Sequence, residues 1–448
     1  MPVIHLSDSI TPASCRAAGG SPADGVSDDR SIAEPGAPIG EGNLGHLEDR
    51  TASITALRND ILQHLAAIGV IATGDATREA VDGKDAIRTM HAHQRAKKAL
   101  QVRRALRPHW ARLLDHLADG HEVDPARIDP ELVPVVSDHE TGELFRLATL
   151  LWSVPVSSGF GRRMRYLVRD RGNGKLIGVF ALGDPVFNLR ARDGWLGWTA
   201  EDRRQRLVHV MDAYVVGAVP PYAQLLGGKL VMALAGSAQV ATDFAARYGE
   251  TTGIISQERK SAQLALITVT SALGRSSLYN RLRLTAPPKD GEAPRILTNL
   301  QRLGTTEGYG HFQLSDELFG RVRSLLAREE HPYADAHQFG QGPNWRFRVV
   351  RVGLKRLGLD PHILKHGIAR EVYAMPLVSN PQEYFCGRED AAHLVLPSVA
   401  DIAAAARLRW ILPRAERRPE FGAFRKAKLC CFGESGLEST PDIVLPTL

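Results

Sequence analysis

Two strand-like runs, Arg165–Arg169 and Leu176–Leu182, enclose the tripeptide Gly172-Asn173-Gly174. Asn and Gly accept the positive φ angles that tight turns between antiparallel strands require, so this pattern predicts a β-hairpin. Further strand-like and helix-like runs alternate after it. They are the strands Val208–Val219 and Ala262–Thr270, and the helices Leu225–Ala235, Val240–Tyr248 and Ser276–Leu282. This alternation predicts an α+β core, a mixed sheet covered by helices.

The rest of the chain divides by composition and periodicity. Residues 1–48 are rich in Gly, Ala, Pro, Ser and Asp, which predicts a disordered tail. Residues 49–135 form a basic helical domain in this interpretation, 136–316 the α+β core, and 317–448 a mainly helical C-terminal domain. We therefore expect helical regions to flank a central sheet.

Several features predict a cytoplasmic protein. No run of about 18 apolar residues is present, which argues against a membrane span. The first residues lack the basic and apolar regions of a signal peptide. The four cysteines, Cys15, Cys386, Cys430 and Cys431, form no CxxC pair, so we expect free thiols and no metal site.

The segment from Arg165 to Trp198, RYLVRDRGNGKLIGVFALGDPVFNLRARDGWLGW, is followed by a Met211–Tyr214 strand and a Gly217–Tyr222 turn. These motifs, in this order, resemble the DruA family of Druantia anti-phage proteins. The resemblance is clear over 145–285 and looser over 50–415. It implies a role in anti-phage defence or in another function of mobile DNA, with other defence-system proteins as partners.

That family domain in turn resembles the GNAT acyltransferase fold. GNAT enzymes bind the pyrophosphate of acyl-CoA in a glycine loop at a helix start, where Gln224, Gly227, Gly228 and Lys229 stand here. Lys229 replaces the small last residue of the GNAT loop. The resemblance to GNAT enzymes implies acetyl-CoA as a cofactor. If it binds at this loop, the Gly227→Asp variant should abolish its binding. Tight helix packing is the alternative explanation of the glycines.

Three residues are candidates for acid–base catalysis. Asp212 lies within an apolar strand, where a carboxylate is costly unless it is paired, for example with Arg163 or Arg165. It is predicted to be either a general base or a structural ion-pair partner. Tyr279 matches the tyrosine that protonates the departing thiolate in GNAT enzymes. His311, among glycines, is a second candidate base.

A metal-dependent nuclease is a further alternative. Its acidic residues would be Asp184, Asp193, Asp212 and Glu258, with Lys260 beside the attacking water. Asp184 begins a turn, however, and Asp193 is predicted on an exposed loop, so simpler explanations exist for both.

Basic residues form two runs. Residues 84–112 contain nine cations and one acid, and residues 407–428 contain eight cations and two acids. Such runs bind phosphates without sequence preference, so they predict a DNA or RNA partner. The candidate contacts are Arg95, Lys97, Lys98, Arg103, Arg104, Arg162, Arg163, Arg275, Ser276, Arg346 and Arg348.

Nucleic-acid binding around a GNAT-like core is therefore the leading hypothesis. An acyl-CoA-dependent acyltransferase and a nuclease are the alternatives, and the residues leave open whether the chain is an enzyme.

Overall fold

A computed structural model describes residues 42–67, 83–137, 139–156, 161–252, 259–286, 294–306, 314–335, 343–364, 368–388 and 395–429. These residues form two compact units. The sheet unit lies within His91–Thr306 and Ala369–Leu448, and the helical unit lies within Cys15–Met90 and Glu307–Ile368. The units thus cross the boundaries of the segments that composition suggested, because each is assembled from separate stretches of chain.

The strands are β1 (Pro130–Pro134), β2 (Arg163–Asp170), β3 (Leu176–Gly183), β4 (Val210–Ala218), β5 (Glu250–Thr252), β6 (Arg259–Ser261), β7 (Leu266–Thr270), β8 (Arg283–Thr285), β9 (Ile296–Asn299), β10 (Gln301–Thr306) and β11 (Arg370–Pro376). The α-helices are α1 (Gly42–Ala67), α2 (Gly83–Met90), α3 (Ala92–Leu106), α4 (Trp110–Asp115), α5 (Glu140–Leu150), α6 (Arg190–Leu196), α7 (Ala200–Arg206), α8 (Gly227–Leu234), α9 (Ala238–Tyr248), α10 (Asp316–Arg328), α11 (Pro343–Arg356), α12 (Pro381–Phe385), α13 (Val399–Ala406) and α14 (Leu412–Arg417). A π-helical turn, Arg407–Ile411, joins α13 to α14.

A seven-stranded mixed sheet, in the order β1-β2-β3-β4-β7-β11-β10, forms the centre of the sheet unit. Its pairs are antiparallel except β4 with β7, which is parallel. The predicted hairpin is confirmed as β2 and β3, and Gly174 closes its turn at φ +73°. The predicted α+β class is likewise confirmed.

The parallel pair is short. Val210, Met211 and Asp212 pair with Leu266, Ile267 and Thr268, and the pairing then stops although β4 continues to Ala218. Beyond Asp212 the two strands therefore separate, which leaves polar side chains near the centre of the sheet.

Helices cover both faces of this sheet. On one face, α8, α9 and α13 pack on the sheet through apolar residues such as Val231, Phe244 and Ile402. On the other face, α3, α4 and α5 cover β2 and β3, and α6 and α12 cover the β7 and β11 side. Successive side chains of each strand point to opposite faces, so the sheet has an apolar layer on both faces and β3 is buried at every position.

The helical unit is built on α10 and α11. Phe319 and Trp345 pack edge to face at 5.6 Å between ring centres, and Gly353 allows α11 to approach Val322 of α10. Asp60 of α1 forms an ion pair with Arg321 of α10 at 2.7 Å.

Some local predictions were wrong. Residues 276–282 form turns instead of the predicted helix, and within the predicted basic helical domain the helix is interrupted at His91. The C-terminal third contains a central strand, β11, whose Glu371 pairs with Arg302 of β10. Helix α1 begins within the segment predicted as a tail. None of the helices in the described ranges has the length and apolarity that a membrane span needs.

Candidate functional site

Asp212 lies where β4 and β7 separate. Its Oδ1 accepts a hydrogen bond of 2.8 Å from Oγ1 of Thr268, which is fully buried on β7. Asp212 itself is only partly buried. Burial raises the pKa of this carboxyl to about 6, although the Thr268 hydroxyl and the charge of Arg192 oppose the shift. A raised pKa of this kind is a property that general bases share.

The cation that acts on Asp212 is Arg192 of α6, not Arg163 or Arg165 as the sequence suggested. Arg165 donates to Ser137 and lies over the Phe145 ring. Sequence reasoning missed both Thr268 and Arg192 as members of this site. The local sequence pattern identifies neither residue, because each comes close to Asp212 only through contacts between segments that are distant in the chain.

Tyr279 faces the same region from the turns after β7. Burial and the charge of Asp212 raise the pKa of its hydroxyl, and its ring lies 5.7 Å from that of Tyr373. Tyr373 in turn donates to Glu371. Of the neighbouring nucleic-acid candidates, Arg275 is exposed, whereas the Ser276 hydroxyl accepts a bond from the backbone of Leu278. His311 lies outside the described residues.

Packing accounts for the two glycines of the predicted cofactor loop. A Cβ at Gly227 would lie 2.6 Å from the carbonyl oxygen of Tyr222, and one at Gly228 would lie 2.9 Å from the Leu278 side chain. A side chain at position 227 would therefore disturb the packing of this turn. A loss of acetyl-CoA binding in Gly227→Asp would not distinguish a lost ligand contact from this packing defect.

The same loop carries positive charge. The Lys229 ammonium lies 5.8 Å from the centre of the Trp410 ring, and burial together with nearby Arg409 lowers the pKa of Lys229. Arg414 donates to the carbonyl of Gln224 at 3.1 Å. The C-terminal helices thus bring cations to the start of α8.

Two of the proposed nuclease acids serve internal ion pairs. Asp184 accepts from the Arg162 guanidinium at 2.7 Å, and Arg162 also donates to backbone carbonyls of 207, 208 and 210. Arg162 therefore links the residue that follows β3 to the start of β4, and a phosphate contact would have to compete with these bonds. Asp193, predicted as exposed, is buried with Arg192. Glu258 lies outside the described residues, and the remainder of the described chain has no cluster of three metal ligands.

The two basic runs of the sequence meet in the sheet unit. Helix α3 carries Arg95, Lys97, Lys98, Arg103 and Arg104. Its last residue, Leu106, shares an apolar cluster with Leu113 and with Leu429, which directly follows the second run. The Gly120 amide donates to the carbonyl of Phe424 at 2.9 Å, and the Lys426 amide donates to Asp119 at 2.6 Å.

Exposed cations flank these buried leucines. Arg104 and Arg107 lie on either side of Leu106, and Arg425 and Lys428 precede Leu429. Both pairs of cations therefore border the same apolar cluster. We call Arg104, Arg107, Arg425 and Lys428 the basic face.

The remaining predicted contacts serve other roles or lie elsewhere. Arg163 is exposed at the start of β2. In the helical unit, Arg346 pairs with Asp316 at 3.0 Å and lies over the Phe319 ring, and Arg348 lies over the Tyr333 ring.

Known proteins resemble this chain over most of its length. The family model described as Druantia protein DruA matches residues 81–387. A protein named Druantia protein DruA, from Escherichia coli (strain UMEA 4076-1), is 44% identical over 378 residues, which cover 84% of this chain and 91% of that protein. No solved structure matches. The motif resemblance is thereby confirmed, and the chain belongs to the DruA family.

Proposed function

We propose that this chain acts in anti-phage defence, the role that its family implies, and that it does so by binding nucleic acid through the basic face. Other proteins of the same defence system are its expected partners. The meeting of the two basic runs carries the nucleic-acid proposal. More than 300 residues separate Arg104 from Lys428 in the chain, yet Leu106 and Leu429 are buried in the same apolar cluster.

Such an arrangement suits a phosphate backbone better than a compact ligand. Four cations around one apolar cluster contact several phosphates at once, and each contact releases counterions from the nucleic acid. Exposed long side chains retain the freedom to follow a backbone of any sequence, so the proposed binding is strong at low salt and independent of sequence.

The test is duplex binding as a function of salt, measured by fluorescence anisotropy of labelled DNA and RNA. Replacement of all four basic-face cations by Ala is expected to flatten the slope of log K against log salt by roughly 0.9 for each lost phosphate contact. A matched control replaces Arg204 and Arg259, exposed cations that pair with Glu201 and Glu250. An unchanged slope in the first variant, or an equal loss in the control, contradicts the proposal.

The separation of β4 and β7 supports a second candidate function, an acyltransferase on a GNAT-like core. In GNAT folds, too, a pair of parallel central strands diverges, and the cofactor loop lies on the following helix. Acetyl-CoA would supply a thioester as the acyl donor, held by Lys229 and the cations around α8. Asp212 is suited to accept the proton of the acyl acceptor, and Tyr279, whose raised pKa keeps it protonated, is suited to act as the acid.

Calorimetric titration with acetyl-CoA tests this candidate. Lys229→Glu replaces Gly227→Asp as the informative variant, since Lys229 is only partly buried and the change leaves the packing of the glycines intact. Arg417→Glu, an exposed position on α14, is the control. Saturable binding that only Lys229→Glu removes supports the acyltransferase, and an absence of binding to the wild-type chain excludes it.

A further inference from the structure

We propose that the loop between β3 and α6 forms a pocket for one unpaired nucleotide, with its base stacked on Phe187 and its phosphate near Arg190. The inference rests on the proposed nucleic-acid binding and specifies a single-stranded form of the ligand. It concerns the 184–190 segment, to which the sequence patterns assign only a turn.

Phe187 and its neighbour Val186 are large apolar side chains that stand in solvent, with exposed fractions of 49% and 50%. Exposed apolar side chains on a flexible loop do not indicate a binding site. In this protein, however, hydrogen bonds with Arg192 and Asp193 hold the backbone of the loop in place. The fully buried Arg192 donates to the carbonyls of Val186 and Phe187 at 3.0 and 2.8 Å. The Asp193 carboxylate accepts the amide of Leu189 at 3.1 Å. The protein therefore holds both apolar side chains outward.

One face of the Phe187 ring already has a cation beside it. The guanidinium of Arg203 lies 5.4 Å from the ring centre and is oriented by Asp193 at 3.4 Å. A ring supported in this way, and still half exposed, is a platform on which a flat aromatic group stacks. Nucleobases are such groups, and stacking tolerates every base because each has a π face.

Arg203, whose guanidinium lies beside this ring, also lines a cavity of about 400 Å³ together with Asn188 and Arg190. This volume lies within the range of small-molecule sites and accommodates a single nucleotide. Exposed Arg190 provides a charge for a phosphate, and the Asn188 amide offers a donor and an acceptor to a base edge. The cavity is open to solvent, so the nucleotide it admits can remain within a longer strand.

The chemistry of the lining favours this occupant. A purely apolar ligand would offer nothing to the charge of Arg190, and two arginines against one carboxylate, Asp193, disfavour a metal cation in this cavity. An aromatic platform, guanidinium groups and an amide together match the base and the phosphate of one nucleotide.

The experiment compares a labelled single-stranded oligothymidylate with a labelled duplex, using the full chain. Phe187→Leu keeps the apolar bulk but removes the π face, and Phe187→Trp restores it. We expect Phe187→Leu to weaken single-strand binding by roughly fivefold to a hundredfold, and Phe187→Trp to bind like the wild type. Duplex binding through the basic face should stay unchanged, as should single-strand binding by the control Val186→Ala.

An oligonucleotide that contains 2-aminopurine provides a direct readout, because stacking on the ring quenches its fluorescence in the wild type but not in Phe187→Leu. Single-strand binding that is equal in Phe187→Leu and in the wild type overturns the pocket. Equal losses on single strands and duplex overturn it as well. If single-strand binding depends on Phe187 while neutralisation of the basic face changes nothing, the pocket stands and the proposed function of the basic face fails.

Discussion

Thr268 donates a 2.8 Å hydrogen bond to Asp212 at the last residue pair before β4 and β7 separate. The bond joins strands whose residues are 56 positions apart in the chain. It places an ionisable carboxyl in the middle of the sheet while keeping one of its oxygens satisfied. This carboxyl therefore contributes to the dependence of the protein's stability on pH.

Asp212→Asn is expected to change the pH dependence of stability. Folding raises the pKa of Asp212 from 3.8 to about 6, so the folded state binds its proton more tightly than the unfolded state. The contribution of this group to stability is complete below about pH 4 and is lost as the pH rises through about 6. Because Asn still accepts from Thr268, the variant should be more stable than the wild type at about pH 8, by at most about 3 kcal/mol. Urea unfolding at several pH values measures the difference, and parallel pH profiles would contradict the prediction.

Arg192→Met is expected to destabilise the protein strongly. Arg192 is fully buried, pairs with Asp193 at 2.6 Å and supports the 184–190 loop. Its removal leaves a buried carboxylate without its closest cation, a change that typically costs about 3–5 kcal/mol. The control is Arg204→Met, whose exposed ion pair with Glu201 should contribute no more than about 1 kcal/mol. Similar unfolding free energies for the two variants would show that the buried pair has no special role.

Two glycine-to-alanine changes in helices should have opposite effects. At Gly227 the added methyl would lie 2.6 Å from a backbone oxygen, so the cost should be about 1–3 kcal/mol. At Gly194 in α6 no atom lies within 4 Å, and Ala should stabilise the helix by up to about 1 kcal/mol. Thermal unfolding distinguishes them. A neutral Gly227→Ala would remove the packing explanation and favour a ligand as the reason for that glycine.

Gly120→Ala is expected to loosen the C-terminal basic segment. A Cβ at Gly120 would lie 2.1 Å from the carbonyl oxygen of Phe421 and 2.6 Å from that of Gly422, so the 419–424 turn has to move. Stability should fall by about 1–3 kcal/mol, and under the proposed function duplex binding should weaken at low salt. Limited proteolysis followed by mass spectrometry locates the change. Protection of residues 419–429 equal to the wild type would contradict the expectation, and Gly194→Ala again serves as the control.

The sequence by itself determined the local elements of this protein. The Gly172-Asn173-Gly174 turn predicts the β2–β3 hairpin, and helix-like runs predict α8 and α9, because both signals act between residues that are close in the chain. It also carried the ordered motifs through which the DruA kinship was recognised, and that kinship was confirmed.

Only the tertiary structure decided which distant residues meet. Asp212 accepts a hydrogen bond from Thr268 and lies within the electrostatic influence of Arg192. Strand β11 lies in the sheet between β7 and β10. Arg192 and Asp193 are buried together as an ion pair, whereas the sequence pattern predicts an exposed loop for Asp193. One apolar cluster that contains both Leu106 and Leu429 likewise connects two basic runs that are far apart in the sequence. Strand order, burial and charge environment depend on contacts between segments far apart in the chain, and local propensity contains no term for such contacts.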